Sequence, residues 1–191
     1  MPVIEAHLIE GYGDDDKRRL GEALTDATRL VVPATPELVT VMIHEMPTNN
    51  YYRGRTTRVP ALALPDPCAI VEEFLTHLGQ RDLDAASQLI ANDFVMFFPA
   101  TKPMHQFEEL IEWSKTRYKS IEKTFDGMEA MRSAGDETIV YCRGTLSGEW
   151  LNGKSFSGIR FIDRFELIEG KITKQEVLND IAETLRGMAT T

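Results

Sequence analysis

Three prolines packed into residues 60–67, Pro60, Pro65 and Pro67, constrain this chain more than any other feature. Each fixes its own φ, offers no backbone N–H and biases the residue before it away from the helix, so no helix or strand can run through the stretch. A semi-rigid extended linker over 60–67 therefore divides the 191 residues into domains at 1–59 and 68–191.

Composition narrows what such a pair can do. With 30 acidic against 21 basic residues the net charge is −9, which disfavours a nucleic-acid backbone as partner and leaves small anions open only where arginines gather. Cys68 and Cys142 are too few for a disulfide framework or a four-ligand zinc site, and the four histidines, 7, 44, 77 and 105, lack metal-ligand spacing. No phosphate loop, nucleophile elbow or dinucleotide fingerprint is found, so no metal and no cofactor is expected. Met1 to Glu10 lacks the basic start and apolar core of a signal peptide, and no apolar run approaches a membrane span. The expectation is a soluble, cytoplasmic chain with no membrane or nucleic-acid partner.

Val3 to Ile9 is apolar on both faces, the pattern of a short strand covered on both sides. Gly11-Tyr12-Gly13 breaks it, and Asp14 to Asp16 supply a cap and negative charge for a helix in which Leu20, Ala23, Leu24, Ala27 and Leu30 share a face. Thr35-Pro36 precedes a second β-rich run, Leu38 to Glu45, making a right-handed β-α-β unit, and Asn49-Asn50 turns into a hairpin near Tyr51 to Arg55. Beyond the linker, Ile70 to Leu78 and Leu83 to Ile90 read as two amphipathic helices, Phe94 to Phe98 as a short strand and Phe107 to Ser114 as a third helix. Long β segments follow near 123–134, 137–150, 155–168 and 171–178, with turns at Asn152-Gly153 and Glu169-Gly170. The plan is α+β, helices first and then a curved antiparallel sheet around a cavity.

Pro2 carries the first chemistry. Removal of Met1 would leave a secondary amine at the start of a strand, and an α-amino group titrates within reach of neutral pH, lower still when buried, as a general base requires. On its own a proline here is equally an incidental residue tolerated at a strand's first position. The run Pro2-Val-Ile-Glu-Ala-His-Leu-Ile-Glu-Gly11, the capped helix, His44-Glu45-Met46 and Asn50-Tyr51-Tyr52-Arg53-Gly54 together resemble the 4-oxalocrotonate tautomerase family, in register over about residues 2–58.

That resemblance implies a proline moving a proton between carbon and oxygen of an enol or keto acid, an aromatic wall residue at Tyr51, and a homo-oligomer, trimer or hexamer, in which hairpins reach neighbouring subunits. It also exposes a departure: the family's two substrate-binding arginines fall on Tyr12 and Thr40. Tyr12 can donate to an oxyanion or be a turn residue with a wet hydroxyl, and Arg53 or Arg55 can anchor an anion or belong, with Arg58, to a solvated basic loop.

From Asp66 to Leu185 the carriers are Arg81-Asp-Leu-Asp-Ala-Ala86, Asn92-Asp93-Phe94 and Phe161-Ile-Asp-Arg-Phe165 followed by Glu169-Gly-Lys-Ile172. They resemble the SnoaL-like and nuclear transport factor 2-like superfamily, which includes polyketide cyclases and ketosteroid isomerase and implies a cone-shaped pocket. Asp163 falls where the isomerase keeps a neutral acid that donates to an oxyanion, dried here by Phe161 and Phe165. Asp163 can equally pair with Arg143 or Arg160. Phe98 stands at the isomerase's base and Phe74 at a matching tyrosine, which argues against that mechanism. His105, Trp113, Tyr118 and Tyr141 are further candidate wall residues, His105 also a candidate helix cap.

Three functions are open. The first is a cofactor-independent tautomerase acting through Pro2, with a second domain that binds or processes the same small enol, keto or polyketide-like compound. The second is an inactive oligomerising core displaying a binding domain, and the third a cyclase acting through the second domain alone.

Overall fold

The computed structural model describes residues 1–189; residues 190 and 191, the end of the expected second domain, lie outside the described residues. The chain forms two compact units, one over Met1–Ala63 and one from Leu64 onward.

In the first unit β1 (Val3–Ile9) leads through α1 (Asp14–Arg29) to β2 (Thr40–Met46), and the two strands pair in parallel from Val3 opposite Thr40 to Ile9 opposite Met46. Asp14, Asp15 and Asp16 fill the first turn of α1 and Asp16 accepts the Gly13 amide at 3.2 Å, a carboxylate set where the helix dipole favours it. Leu20 and Leu24 of α1 are half-buried, but Ala23 and Ala27 are exposed and Leu30 lies past the last turn in solvent.

The expectation of a strand covered on both sides is not met within one chain. Ile4, Ala6 and Leu8 lie under the helix, whereas Val3, Glu5 and His7 form an open row beside Thr40, Met42 and His44. Val3 is 53% and Met42 37% exposed, and the His7 and His44 rings stack at 4.9 Å. No residue before Ile70 is buried. One helix can cover only one face of two strands.

β3 (Tyr52–Arg53) and β4 (Thr56–Thr57) form a tight hairpin whose turn residues, Gly54 (φ 57°) and Arg55 (φ 70°), are both left-handed, the geometry of a type I′ turn. Its feet are tied to one place. The Thr48 amide donates to Glu10 at 3.3 Å, and Pro60 fits against Gly11, where a Cβ would sit 2.9 Å from the proline ring.

In the second unit Asp66 caps α2 (Pro67–Gln80) by accepting the Cys68 amide at 2.9 Å, and Pro67 takes the first turn, where its missing N–H costs nothing. Pro65 packs on Gly170, so the proline-rich segment is docked within each unit by one of its own prolines. The helix runs past Gly79 and stops at Arg81, whose φ of 61° ends it.

The second predicted helix is shorter than expected. α3 spans only Leu83–Ser87, and Ile90 opens β5 (Ile90–Phe97), because it registers with Ile172 and the Ile172 amide donates to the Leu89 carbonyl at 2.9 Å. α4 (Phe107–Lys115) precedes β6 (Tyr118–Arg132), β7 (Thr138–Trp150), β8 (Ser155–Ile168) and β9 (Lys171–Asn179), and α5 (Ile181–Ala189) closes the chain. The sheet order is β5-β9-β8-β7-β6; β6 to β9 are antiparallel, while β5 runs parallel to β9 and makes the curved sheet mixed.

The inner face of this sheet holds the core. Val140, Cys142, Leu146 and Trp150 of β7 and Ile159, Phe161, Asp163, Phe165 and Leu167 of β8 are buried with Val71 and Phe74 of α2. No helix of the described residues is long and apolar enough to cross a membrane.

Candidate functional site

The first unit holds its candidate residues at two ends. Pro2 precedes β1, and its carbonyl accepts the Thr40 amide at 3.1 Å, so Pro2 and Thr40 meet at the amino-terminal ends of the parallel strands. Tyr12 follows the opposite end of β1 and Tyr51 the opposite end of β2, and the hairpin with Arg53 and Arg55 is rooted there as well. Seven residues of strand at roughly 3.3 Å each separate the groups by roughly 20 Å. Within one chain Pro2 and Thr40 come together; Tyr12, Tyr51, Arg53 and Arg55 do not join them.

Electrostatics sets the hairpin apart. Lys17, Arg18, Arg19 and Arg29 each pair with a carboxylate, Lys17 with Glu45 at 2.9 Å and Arg18 with Glu22 at 2.9 Å. Arg53, Arg55 and Arg58 are exposed and make no ion pair or hydrogen bond among the described residues. Three unspent guanidinium groups in a chain of charge −9 form a local anion-attracting loop. An open groove of about 440 Å³ beside α1, lined by Arg18, Glu22, Thr25 and Val41, contains none of the candidate residues, and its Arg18 and Glu22 already pair with each other.

The second unit gathers a different cluster. Asp163 is wholly buried on the inner face of β8, and its Oδ2 accepts hydrogen bonds from Lys123 Nζ and from Gln175 Nε2, the latter at 3.3 Å. The expected arginine partners are engaged elsewhere: Arg143 pairs with Glu129, and Arg160 with Asp180 at 2.7 Å. Both arginines sit on outward positions that alternate with Cys142 and Phe161, so neither reaches the inner face. Asp163 therefore accepts from two donors here, in contrast with the donating acid expected from the isomerase resemblance.

Neighbouring Cys142 registers with Asp163 across the β7–β8 ladder; burial first, and the nearby Asp163 charge second, push its thiol up to about 12. Burial also raises the Tyr118 phenol above its ordinary range against the opposing pull of Arg81 and Arg117, which keeps a hydroxyl donor at the start of β6. Phe98 and Trp113 pack at 5.0 Å between ring centroids, and Arg117 lies 4.1 Å from the Trp113 ring centroid.

Two expected wall residues stand elsewhere. His105 is exposed and leads into α4; its amide donates to Glu109 at 2.7 Å, and its Nδ1 is 3.3 Å from the Phe94 carbonyl, so it serves the helix entry. Tyr141 registers with Arg164 and alternates with buried Val140 and Cys142, which puts it on the outer face. Lys123 and Gln175 were missed by the sequence reading. The available signal was the row Ile121, Lys123, Phe125, in which a lysine holds an inward position at the two-residue period of a strand.

Comparison with known proteins finds a separate match in each unit. Residues 2–57 match the family model described as tautomerase enzyme, and residues 71–175 match that described as SnoaL-like domain. A probable tautomerase of Halalkalibacterium halodurans is 35% identical over 51 residues, 27% of this chain and 84% of that protein. The 2-hydroxymuconate tautomerase of Bacillus subtilis is 35% identical over 51 residues, 27% of this chain and 82% of that one.

Among solved structures, an NTF2-like protein of unknown function from Burkholderia pseudomallei covers 63% of this chain and 95% of its own, at 22% identity and a TM-score of 0.52. IdmH, a putative polyketide cyclase from Streptomyces antibioticus, covers 65% and 99%, at 17% identity and a TM-score of 0.52. At such identities these two establish the fold of the second unit. With a tautomerase match confined to the β-α-β unit and a SnoaL-like match confined to the mixed sheet and its helices, the chain belongs to both families, as a fusion of a tautomerase enzyme domain with a SnoaL-like domain.

Proposed function

We propose that the first unit is a cofactor-independent tautomerase whose general base is the Pro2 amine freed by loss of Met1, acting on a small enol or keto acid in sites shared between copies of the chain. The observation that carries this reading is the placement of Pro2 and Thr40 at one end of the parallel pair and of Tyr12, Tyr51 and the unpaired arginines at the other. A neighbouring copy supplies the missing half.

The chemistry then follows from the groups. The Pro2 nitrogen takes the enol O–H proton and returns a proton to the adjacent carbon, so an O–H bond breaks and a C–H bond forms with no oxidant or reductant needed. The Tyr12 hydroxyl donates to the developing enolate oxygen, the Tyr51 ring shapes the site, and Thr40 offers a hydroxyl beside Pro2. Arg53 and Arg55 hold the substrate carboxylate in place of the family arginines absent at positions 12 and 40. The second unit binds or processes the same type of compound, an analogy between two folds that handle enolates.

The test is the ketonisation rate of a simple aryl enolpyruvate by wild type and Pro2→Ala, after mass spectrometry has established that Met1 is gone. A positioned base contributes at least about a hundredfold, so a fall of that size is expected. Equal rates from correctly processed protein would sink this reading in favour of an oligomerising core that displays a binding domain.

A further inference from the structure

The inward row of β6 runs Ile121, Lys123, Phe125, each half-buried, while Glu122, Thr124 and Asp126 face solvent. A lysine turned inward among apolar side chains must meet a counter-charge. It does so at Asp163, two strands away, and its ammonium lies 4.4 Å from the centroid of the Phe161 ring, which packs edge-on against Phe125 at 6.0 Å.

This ion pair is incompletely satisfied. Asp163 Oδ1 and Gln175 Oε1 are buried with no hydrogen-bond partner among the described residues, although both residues are almost fully enclosed. Orphan acceptors of this kind are rare, and a buried pair contributes little stability over apolar residues of the same shape, so packing alone does not account for the cluster. The lysine end is different. An ammonium carries three N–H donors; Lys123 gives one to Asp163, makes no other hydrogen bond among the described residues, and its side chain keeps 24% of its surface exposed. Two donors remain within reach of a visitor beside half-buried Ile121 and Phe125, the inward neighbours of Lys123 on β6.

We propose that the second unit contains a small-molecule site of its own in which Lys123 is the anion-binding donor. Its ligand is a planar conjugated acid that sets a carboxylate or enolate oxygen on Lys123 Nζ and its apolar plane against the half-buried Phe125 ring. Asp163 is a positioning residue that holds the ammonium, and Gln175 holds Asp163. The site requires nothing of Pro2.

Both tryptophans of the chain, Trp113 and Trp150, lie in the second unit, so tryptophan fluorescence is a reporter placed in that unit. Titration of the full chain with benzoate, and with benzyl alcohol as the neutral counterpart, is the first measurement. A charge-assisted hydrogen bond predicts at least about tenfold tighter binding of benzoate. Equal binding of the two, or none, overturns the proposal.

The single variant Lys123→Met strands a buried carboxylate, so the deciding comparison uses Asp163→Asn alone and Asp163→Asn with Lys123→Met. The first should keep the benzoate preference, and the second should lose it by about tenfold or more. If both bind benzoate alike, Lys123 is structural and the proposal fails. Should neither variant fold, the wild-type preference for benzoate decides it.

Discussion

At the scale of single residues, the inner face of the second unit is organised around one wholly buried carboxylate, Asp163, held by Lys123 and Gln175. Asp163 was legible as a buried acid because phenylalanines alternate with it in Phe161-x-Asp163-x-Phe165. Its partner was not, because Arg143 and Arg160 are near in register yet point outward, whereas Lys123 is reached only by a long side chain crossing β7 from β6. The same enclosure sets the reactivity of Cys142. With its pKa pushed up to about 12 by burial, the group is held as the thiol at neutral and mildly alkaline pH, and the thiolate that attacks alkylating reagents is scarce. Iodoacetamide at pH 8 should therefore modify half-buried Cys68 in the native chain and reach Cys142 only after denaturant is added. Mass spectrometry of the labelled peptides checks this, and equal labelling of both thiols without denaturant would contradict the enclosure.

At the scale of elements, two-residue alternation and turn chemistry carried most of the information, and they failed where an element is set by its neighbours. Residues 83–90 have helical spacing, but Leu89 and Ile90 are drawn into the sheet by their pairing with Ile172, a contact from across the domain that no local pattern encodes. β6 likewise begins at Tyr118, five residues before its expected start, because Tyr118 and Ser120 find partners in Trp150 and Glu149. The turn at Glu169-Gly170 was legible from its glycine. The hairpin expected near 51–55 after a turn at Asn49-Asn50 instead follows a 3-10 turn over Thr48–Asn50 and reverses at Gly54-Arg55, where an arginine at φ 70° goes against the usual preference. β6 and β7 also approach unusually closely at Gly144, where an added Cβ would fall far inside van der Waals contact with the Thr124 carbonyl oxygen. Rigid backbone lies on the other side, so Gly144→Ala must push the strands apart, at a cost of about 1–3 kcal/mol or more. Urea unfolding followed by tryptophan fluorescence should place its midpoint below wild type. Because Thr124 adjoins Lys123, benzoate binding should weaken in the same variant; a midpoint equal to wild type would mean that β6 yields freely.

At the scale of the whole molecule, the two units solve the burial problem differently. The second encloses a continuous apolar core between its helices and its sheet, whereas no residue of the first is buried, and its open strand row presents Val3 and Met42 to solvent. A domain near 60 residues buries only about 60% of its unfolded surface even when well packed, so this one is expected to gain its stability from copies of itself. Sequence carried the small size and the apolar strands, but the open face became definite only once the helix was seen to cover one side alone. Met42→Asp places a charge in the middle of that face, opposite Glu5 in the ladder, where association would desolvate both carboxylates. The expected result is a smaller assembly by light scattering, faster hydrogen exchange in peptides from β1 and β2, and loss of enolpyruvate ketonisation to the level of Pro2→Ala. Tryptophan-detected benzoate binding should be retained, because that site needs no part of residues 1–63. A Met42→Asp chain of wild-type mass with wild-type exchange would show that the open face is not where copies meet, and a shared Pro2 site would then have to be built through the hairpins alone.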